Sequence, residues 1–448
     1  MCELLSFKSL SRDQKEAVGL LQIGTFLEYF DLMLYVHLAV LLNELFFPKT
    51  DPHTAAILAA FAFCSTFVLR PFGALLFGYI GDHIGRKSTV ILTTMMMAIS
   101  CIIMASLPTY AQIGIASAWL VTGCRIVQGF SSMGEIMGAE IYVTELIPPP
   151  MQYPTVSFVA VSAALGTTVA LAIATLVTHF GFNWRIAFWV GAAIAVIGSV
   201  ARTRLRETPE FLKEHEKIQQ KLNAKNDLGN NKFSKAIKTQ KLINTEKLNR
   251  KTFWAYLVTW CGWPMSFYLV FMYFNKILKQ DYFYTSEKII LHNFLLSIIS
   301  LIVLVVISVL SYKIHPLKIL KTRGKMSLVL SLLLPVAILG SNSNIQIFLL
   351  QTLLLIGGLA TSPGVPIFLK HIPTLKRFTS ATFVYALSRA VMYIITSFSL
   401  VYLTEIFSYY GLWLVMVPVS VGFLWGVNHF EKLEKTEYTD KFTPALAA

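Results

Sequence analysis

Long apolar stretches alternate with short polar ones along almost the whole chain, and their length suits a bilayer better than a soluble core. In the first half, apolar windows fall near 18–41, 54–80, 88–107, 113–138, 155–178 and 184–202. In the second half they fall near 253–275, 289–311, 326–341, 345–369, 380–403 and 411–429. A helix needs about 20 mainly apolar residues to cross the hydrocarbon, so the pattern predicts about six spans on each side of a polar middle. That middle, residues 207–251, is rich in Asn and Gln and crowded with lysines from Lys213 to Lys251. It is too polar to bury itself and is expected to stay outside the membrane, poorly ordered. The chain thus divides into a six-helix block over 1–206, a basic linker over 207–251, a second block over 252–430 and a tail over 431–448. Two such blocks are the expected outline of a transporter built from parallel repeats, with its site between them near the midplane; a channel or a membrane enzyme also has many helices, and their number alone does not decide.

Composition narrows the class. The 448 residues are 55% hydrophobic and 14% charged, with mean hydropathy +0.61, which excludes an ordinary soluble domain. A formal charge of +14 would suit nucleic acid, but Lys and Arg collect in alternate loops and form no basic groove with aromatic platforms. Arg86 and Lys87, then Lys313, Lys318, Lys321, Arg323 and Lys325, then Lys370, Lys376 and Arg377 fall on the linker's side of the membrane. The loops near 108–112, 179–183 and 341–344 hold no Lys or Arg. By the positive-inside rule both termini are expected in the cytoplasm. Cys2, Cys64, Cys101, Cys124 and Cys261 are scattered singly and are expected to be free thiols. No short apolar segment with a cleavage site precedes the first window, so that helix is expected to be retained.

The polar residues inside or between the windows carry the candidate chemistry. Gly78 to Lys87 is a charged, glycine-punctuated turn squeezed between two windows; its charges are barred from lipid, which makes it a hinge at a membrane face. Glu28, Asp31 and Tyr35, spaced by three and seven residues, share one helical face. A carboxylate near the bilayer centre costs roughly 3 kcal/mol or more, so that face should look into protein or a wet cavity. A carboxyl whose exposure alternates can load and unload a proton; a structural ion pair is the competing reading. Arg125, Gln128, Ser132 and Glu135 form one polar stripe in the fourth window, with Arg125 either a counter-charge or helix–helix glue. Arg389 sits mid-window in the eleventh, where its planar fork suits a carboxylate of the cargo or of the other half. Trp260, Trp263, Tyr268, Tyr273, His292 and Asn293 are candidates to line a pocket. Pro264 and the Pro363, Gly364, Pro366 group interrupt helical hydrogen bonding, as bends beside a transport site or as ordinary kinks.

Several of these stretches together resemble the major facilitator superfamily, in particular its metabolite:proton symporters for proline and betaine, α-ketoglutarate, shikimate or citrate. They are the hinge, Gly24-x-x-x-Glu28-x-x-Asp31, Arg70 to Ala74, Arg125-x-x-Gln128-Gly129 with Gly134-Glu135, Trp184 to Phe188, and Leu205 to Phe211. The resemblance implies an all-α integral membrane protein with a twelve-helix major facilitator fold, its two six-helix bundles related by a pseudo-two-fold axis along the membrane normal. It also implies a cytoplasmic gate at Gly81, Asp82, Gly85, Arg86 and Lys87, in which Asp82 pairs with basic residues and helix termini. Departures are visible. His83 replaces the usual Arg, and the matching turn of the second half has Tyr312 and Pro316 where an Asp and a basic residue belong.

The expected function is proton-coupled symport of a small polar metabolite, an osmolyte of the proline/betaine type or an organic acid. Glu28 and Asp31 are the expected proton carriers, and Tyr35, Arg125, Gln128, Glu135 and Arg389 the substrate or charge-relay contacts. A transporter-derived receptor or sensor without net transport is the alternative, motivated by the altered second hinge. No HExxH, GxSxG or phosphate-binding glycine loop points to an enzyme. No metal or cofactor is expected beyond the coupling proton, and no nucleic acid. The setting is a bacterial-type inner membrane, with the chain working as a monomer.

Overall fold

The computed structural model describes residues 11–48, 66–84, 86–132, 136–180, 183–202 and 248–442, and these are helical almost throughout, with no strand. The first block contributes α1 (Arg12–Phe46), α2 (Arg70–His83), α3 (Arg86–Ser106), α4 (Ile115–Ser131), α5 (Ile136–Leu146), α6 (Gln152–Phe180) and α7 (Arg185–Arg202). The second contributes α8 (Arg250–Tyr268), α9 (Phe274–Gln280), α10 (Ser286–Leu310), α11 (Pro316–Leu339), α12 (Asn344–Ile356), α13 (Val365–Lys370), α14 (Arg377–Ile394), α15 (Leu400–Phe407) and α16 (Trp413–Phe442). Among the described residues, seven helices are long and apolar enough to cross a bilayer on length and composition alone. Residues 203–247, which hold most of the linker expected over 207–251, lie outside the described residues, and its last residues, Arg250 and Lys251, open α8.

Without a hydrophobic drive between helices in lipid, association depends on close backbone approach through small residues. Gly166 of α6 rests directly on the Phe26 carbonyl of α1, where any side chain would collide, and α1 and α6 pack along their length. Within the second block α16 packs against α8 and α11. The blocks meet along two seams, α6 with α10 and α2 with α14. At the second seam Gly78 lies against Thr379, and a Cβ there would stand 2.8 Å from the Thr379 Cα.

Two elements run past their apolar windows. α11 starts at Pro316, not near 326, because proline suits the first helical turn, where its missing N–H costs nothing. α16 continues beyond 429 to Phe442 as a polar helix. Its Glu431 accepts from Lys321 at 2.9 Å, and its Glu434 meets Lys370 at 3.1 Å and His371 at 3.0 Å. The expected tail therefore begins as helix.

Two helices are broken. α8 carries Pro264 and passes through a π turn, Leu269–Tyr273, into α9, the kind of wide turn that a missing backbone donor promotes. Between α12 and α13 the chain unwinds through Gly357, Gly358 and Pro363. Carbonyls freed there must find donors away from water. Arg323 supplies two, with Nε donating to Ile356 O and Nη2 to Leu355 O, both at 3.2 Å. Ser266 Oγ accepts from Leu359 N at 3.1 Å.

Candidate functional site

Glu28, Asp31 and Tyr35 are all buried on α1, but the two carboxyls serve different neighbourhoods. Asp31, 2% exposed, turns into the first block. Its Oδ1 presses on Gly191 of α7, where a Cβ would collide with it. The Cys101 thiol of α3 lies beside the carboxyl at the edge of hydrogen-bond reach, and no closer donor reaches either oxygen among the described residues. Gln128 Nε2 donates to Cys101 Sγ at 3.7 Å, and Arg125 Nη1 donates to Gln128 Oε1 at 3.0 Å. Arg125 also stands over the Tyr35 ring, 4.1 Å from its centroid. Arg125 thus donates to Gln128 and Gln128 to Cys101, whose thiol lies beside the Asp31 carboxyl without a hydrogen bond to it, and cation and carboxyl do not touch as an ion pair. Arg125 Nε and Nη2 have no hydrogen-bond partner among the described residues.

Glu28 instead acts electrostatically on Tyr29, Arg70 and Tyr385, at the junction of the blocks. There the hydroxyls of Tyr29 and Tyr385 meet at 2.7 Å. Arg389, one turn beyond Tyr385, is caged by rings: its guanidinium carbon lies 3.4 Å from the Tyr385 centroid, 4.9 Å from Trp263 and 5.4 Å from Trp260. Nη1 donates to Tyr385 O at 3.3 Å. No carboxylate comes within ion-pair distance of Arg389 among the described residues.

Tyr29, Tyr385 and Arg389 open onto a cavity of about 140 Å³ between the blocks, room for a small molecule where one water occupies about 30 Å³ of liquid. α6 gives it width through Ala160, Ala163 and Ala164; α8 lines it with Trp260, Trp263 and Phe267; α10 adds Ser297 and Ser300. Its charged lining consists of Arg389, Arg323 and Glu140. A mainly apolar cavity with a few convergent polar groups is the usual form of a small-molecule site. Of the aromatic and polar residues singled out in the second half, Trp260 and Trp263 line this cavity, whereas His292 is bonded to Gln351 at 2.7 Å and Asn293 to Asn275 at 3.0 Å.

The face bearing the loops at 147–151, 311–315 and 371–376, referred to below as the basic face, is closed across both seams. Arg377 Nη1 meets Glu145 Oε1 at 2.9 Å, with both side chains largely buried. Ser157 Oγ lies 2.6 Å from Ser308 Oγ and 2.5 Å from Ser362 Oγ. The Tyr153 ring approaches His315 at 6.3 Å between centroids, so the diverged turn of the second half still touches the first block. Of the hinge residues, Gly81 and Asp82 fall within α2, and Arg86 and Lys87 open α3. Their side chains, together with Gly85 and Glu135, lie outside the described residues.

Glu140, Tyr29, Tyr385 and the Glu145–Arg377 pair escape the sequence reading. Glu140 falls just past the window ending at 138, yet its apolar flanks, Ile136 to Ala139 and Ile141 to Val143, mark it as buried. Among the described residues no group of three or more His, Cys, Asp or Glu side chains is placed to hold a metal ion.

The sequence profile of the Major Facilitator Superfamily matches residues 21–399. The proline/betaine transporter of Salmonella typhimurium is 34% identical over 213 residues, which cover 46% of this chain and 43% of that protein. The inner membrane metabolite transport protein YhjE of Escherichia coli is 36% identical over 199 residues, 43% of this chain and 45% of that one. The chain thus spans less than half the length of these curated relatives. The proton:xylose symporter XylE, bound to 6-bromo-6-deoxy-D-glucose, superposes with a TM-score of 0.72 at 15% identity over 94% of this chain and 95% of that one. At that identity the likeness shows the fold alone.

Proposed function

We propose that this chain, which belongs to the major facilitator superfamily, is a secondary transporter that carries a small polar metabolite together with a proton by alternating access between its blocks. One observation carries the reading: a cavity lined from both blocks, and closed towards the basic face, lies apart from a buried carboxyl held entirely within the first block. By the positive-inside rule the basic face is the cytoplasmic one, so the described conformation is closed to the cytoplasm. Relatives named for proline and betaine support a cargo of that size, and the named proton symporter of the same fold supports the coupling ion.

Asp31 and Glu28 are the proton carriers in this reading. For Asp31, with neither oxygen hydrogen-bonded, ionisation away from water costs several kcal/mol, and taking a proton removes that cost. The directed chain from Arg125 through Gln128 and Cys101 then senses whether Asp31 is charged, while Tyr35 holds the guanidinium in place. Arg389 anchors the cargo. The Glu145–Arg377 pair and the serine contacts hold the cytoplasmic side shut, with Asp82, Arg86 and Lys87 as further gate residues. Proteoliposomes with an imposed pH gradient test the whole: proline or betaine should accumulate, a protonophore should abolish accumulation, and replacing sodium should leave it unchanged. Uptake that follows sodium and ignores the protonophore would sink proton coupling.

A further inference from the structure

We propose that the central cavity takes a small zwitterion, its carboxylate held by Arg389 and its cationic nitrogen by Glu140. The proposal rests on reading this cavity as the transport site and adds the chemistry of the cargo. Arg389 comes from the second block and Glu140 from the first, and both line the same cavity. Each lies in the other's electrostatic field, yet they form no ion pair. Rings cover the Arg389 guanidinium and hold it in place, while no described carboxylate balances its charge at contact. Glu140 is 3% exposed and its Oε2 has no hydrogen-bond partner among the described residues. Beside it, Tyr256 Oη is buried next to the cavity-lining Trp260 Nε1.

Two opposite charges kept apart on one lining are complementary to a molecule that carries both signs. A plain carboxylate would satisfy Arg389 and leave Glu140 uncompensated or protonated; a plain cation would leave Arg389 without a counter-charge; a molecule of both signs engages the two at once. The third charged residue, Arg323, is held by the carbonyls of Leu355 and Ile356 at the negative end of α12 through Nε and Nη2, and its Nη1 is buried without a partner among the described residues. The aromatic lining adds ring surface on which a secondary or quaternary ammonium is stabilised.

Binding to the full-length chain, read without any gradient by calorimetry or by tryptophan fluorescence, separates this proposal from transport itself. Two probe pairs match shape and differ in the nitrogen alone: glycine betaine with 3,3-dimethylbutyrate, and L-proline with cyclopentanecarboxylate. At least one zwitterion should bind about tenfold or more tightly than its isostere, the value of a buried charged contact. Glu140→Gln should bring that ratio towards one, Glu140→Asp should restore part of it, and Arg389→Gln should weaken both members of the pair alike. Equal binding within both pairs in the wild type, binding of neither zwitterion, or a ratio unchanged in Glu140→Gln would overturn the assignment. Each of those results leaves pH-driven accumulation of another cargo intact. Binding as predicted with no uptake would instead overturn the transport reading.

Discussion

Asp31 and Arg389 are both charged groups buried in the membrane-spanning part, yet their surroundings are opposites. Asp31 is enclosed by α1, α3 and α7 of one block, beside a Cys101 thiol that accepts from Gln128, which in turn accepts from Arg125. Arg389 stands at the junction of the blocks, caged by rings and open to a cavity that both blocks line. An enclosed carboxyl exchanges little but a proton, whereas a caged cation at a cavity can meet a cargo. The difference suggests a division of labour: the first block senses the proton, and the space between the blocks selects the metabolite.

The comparison can be broken most strongly at Arg389. Arg389→Gln removes a buried cation at the cavity and should weaken cargo binding on the order of 100-fold, about 3 kcal/mol; unchanged affinity by calorimetry would mean that the cavity does not select. Glu145→Gln comes next. It weakens a largely buried charged contact between the blocks, and a loss of about 1.5–3 kcal/mol should open the basic face. A cysteine at Ser362 should then react faster with a membrane-impermeant thiol reagent, and an unchanged rate would count against the gate.

Subtler changes sharpen the contrast. Gly191→Ala drives a methyl group against Asp31 Oδ1 and, as overpacking of about 1–2 kcal/mol, should lower accumulation in a pH gradient while sparing cargo binding. Equal damage to both would merge the two regions into one. Tyr29→Phe deletes a single interhelical hydrogen bond, worth about 0.6 kcal/mol. It should lower the thermal midpoint slightly and leave coupling unaltered.

What the sequence makes legible follows the same divide. Asp31, Arg125, Gln128 and Arg389 stand out because charge or amide inside an apolar window has no cheap alternative to a partner or a cavity. Their neighbours are invisible for a physical reason: nothing in local spacing tells that Cys101 accepts from Gln128 and lies beside Asp31, or that Glu28 and Asp31 diverge despite sharing a face. Arg377 and Glu145 each look like ordinary loop charges, and only the packing of α14 near α5 joins them. The window pattern locates the helices well but misses the polar ends of α11 and α16, where Lys321 of α11 pairs with Glu431 of α16 and Glu434 of α16 with Lys370 of α13. The chain's family, conversely, is announced by a hinge whose charged side chains lie outside the described residues.

The division of labour is tested most directly by Asp31→Asn in proteoliposomes, with radiolabelled proline or betaine followed in two modes. Exchange between internal and external cargo at equal pH should run near the wild-type rate, and accumulation driven by a pH gradient should vanish. Wild-type accumulation in Asp31→Asn would remove Asp31 from proton coupling, and loss of exchange together with accumulation would show that the two regions are not separate.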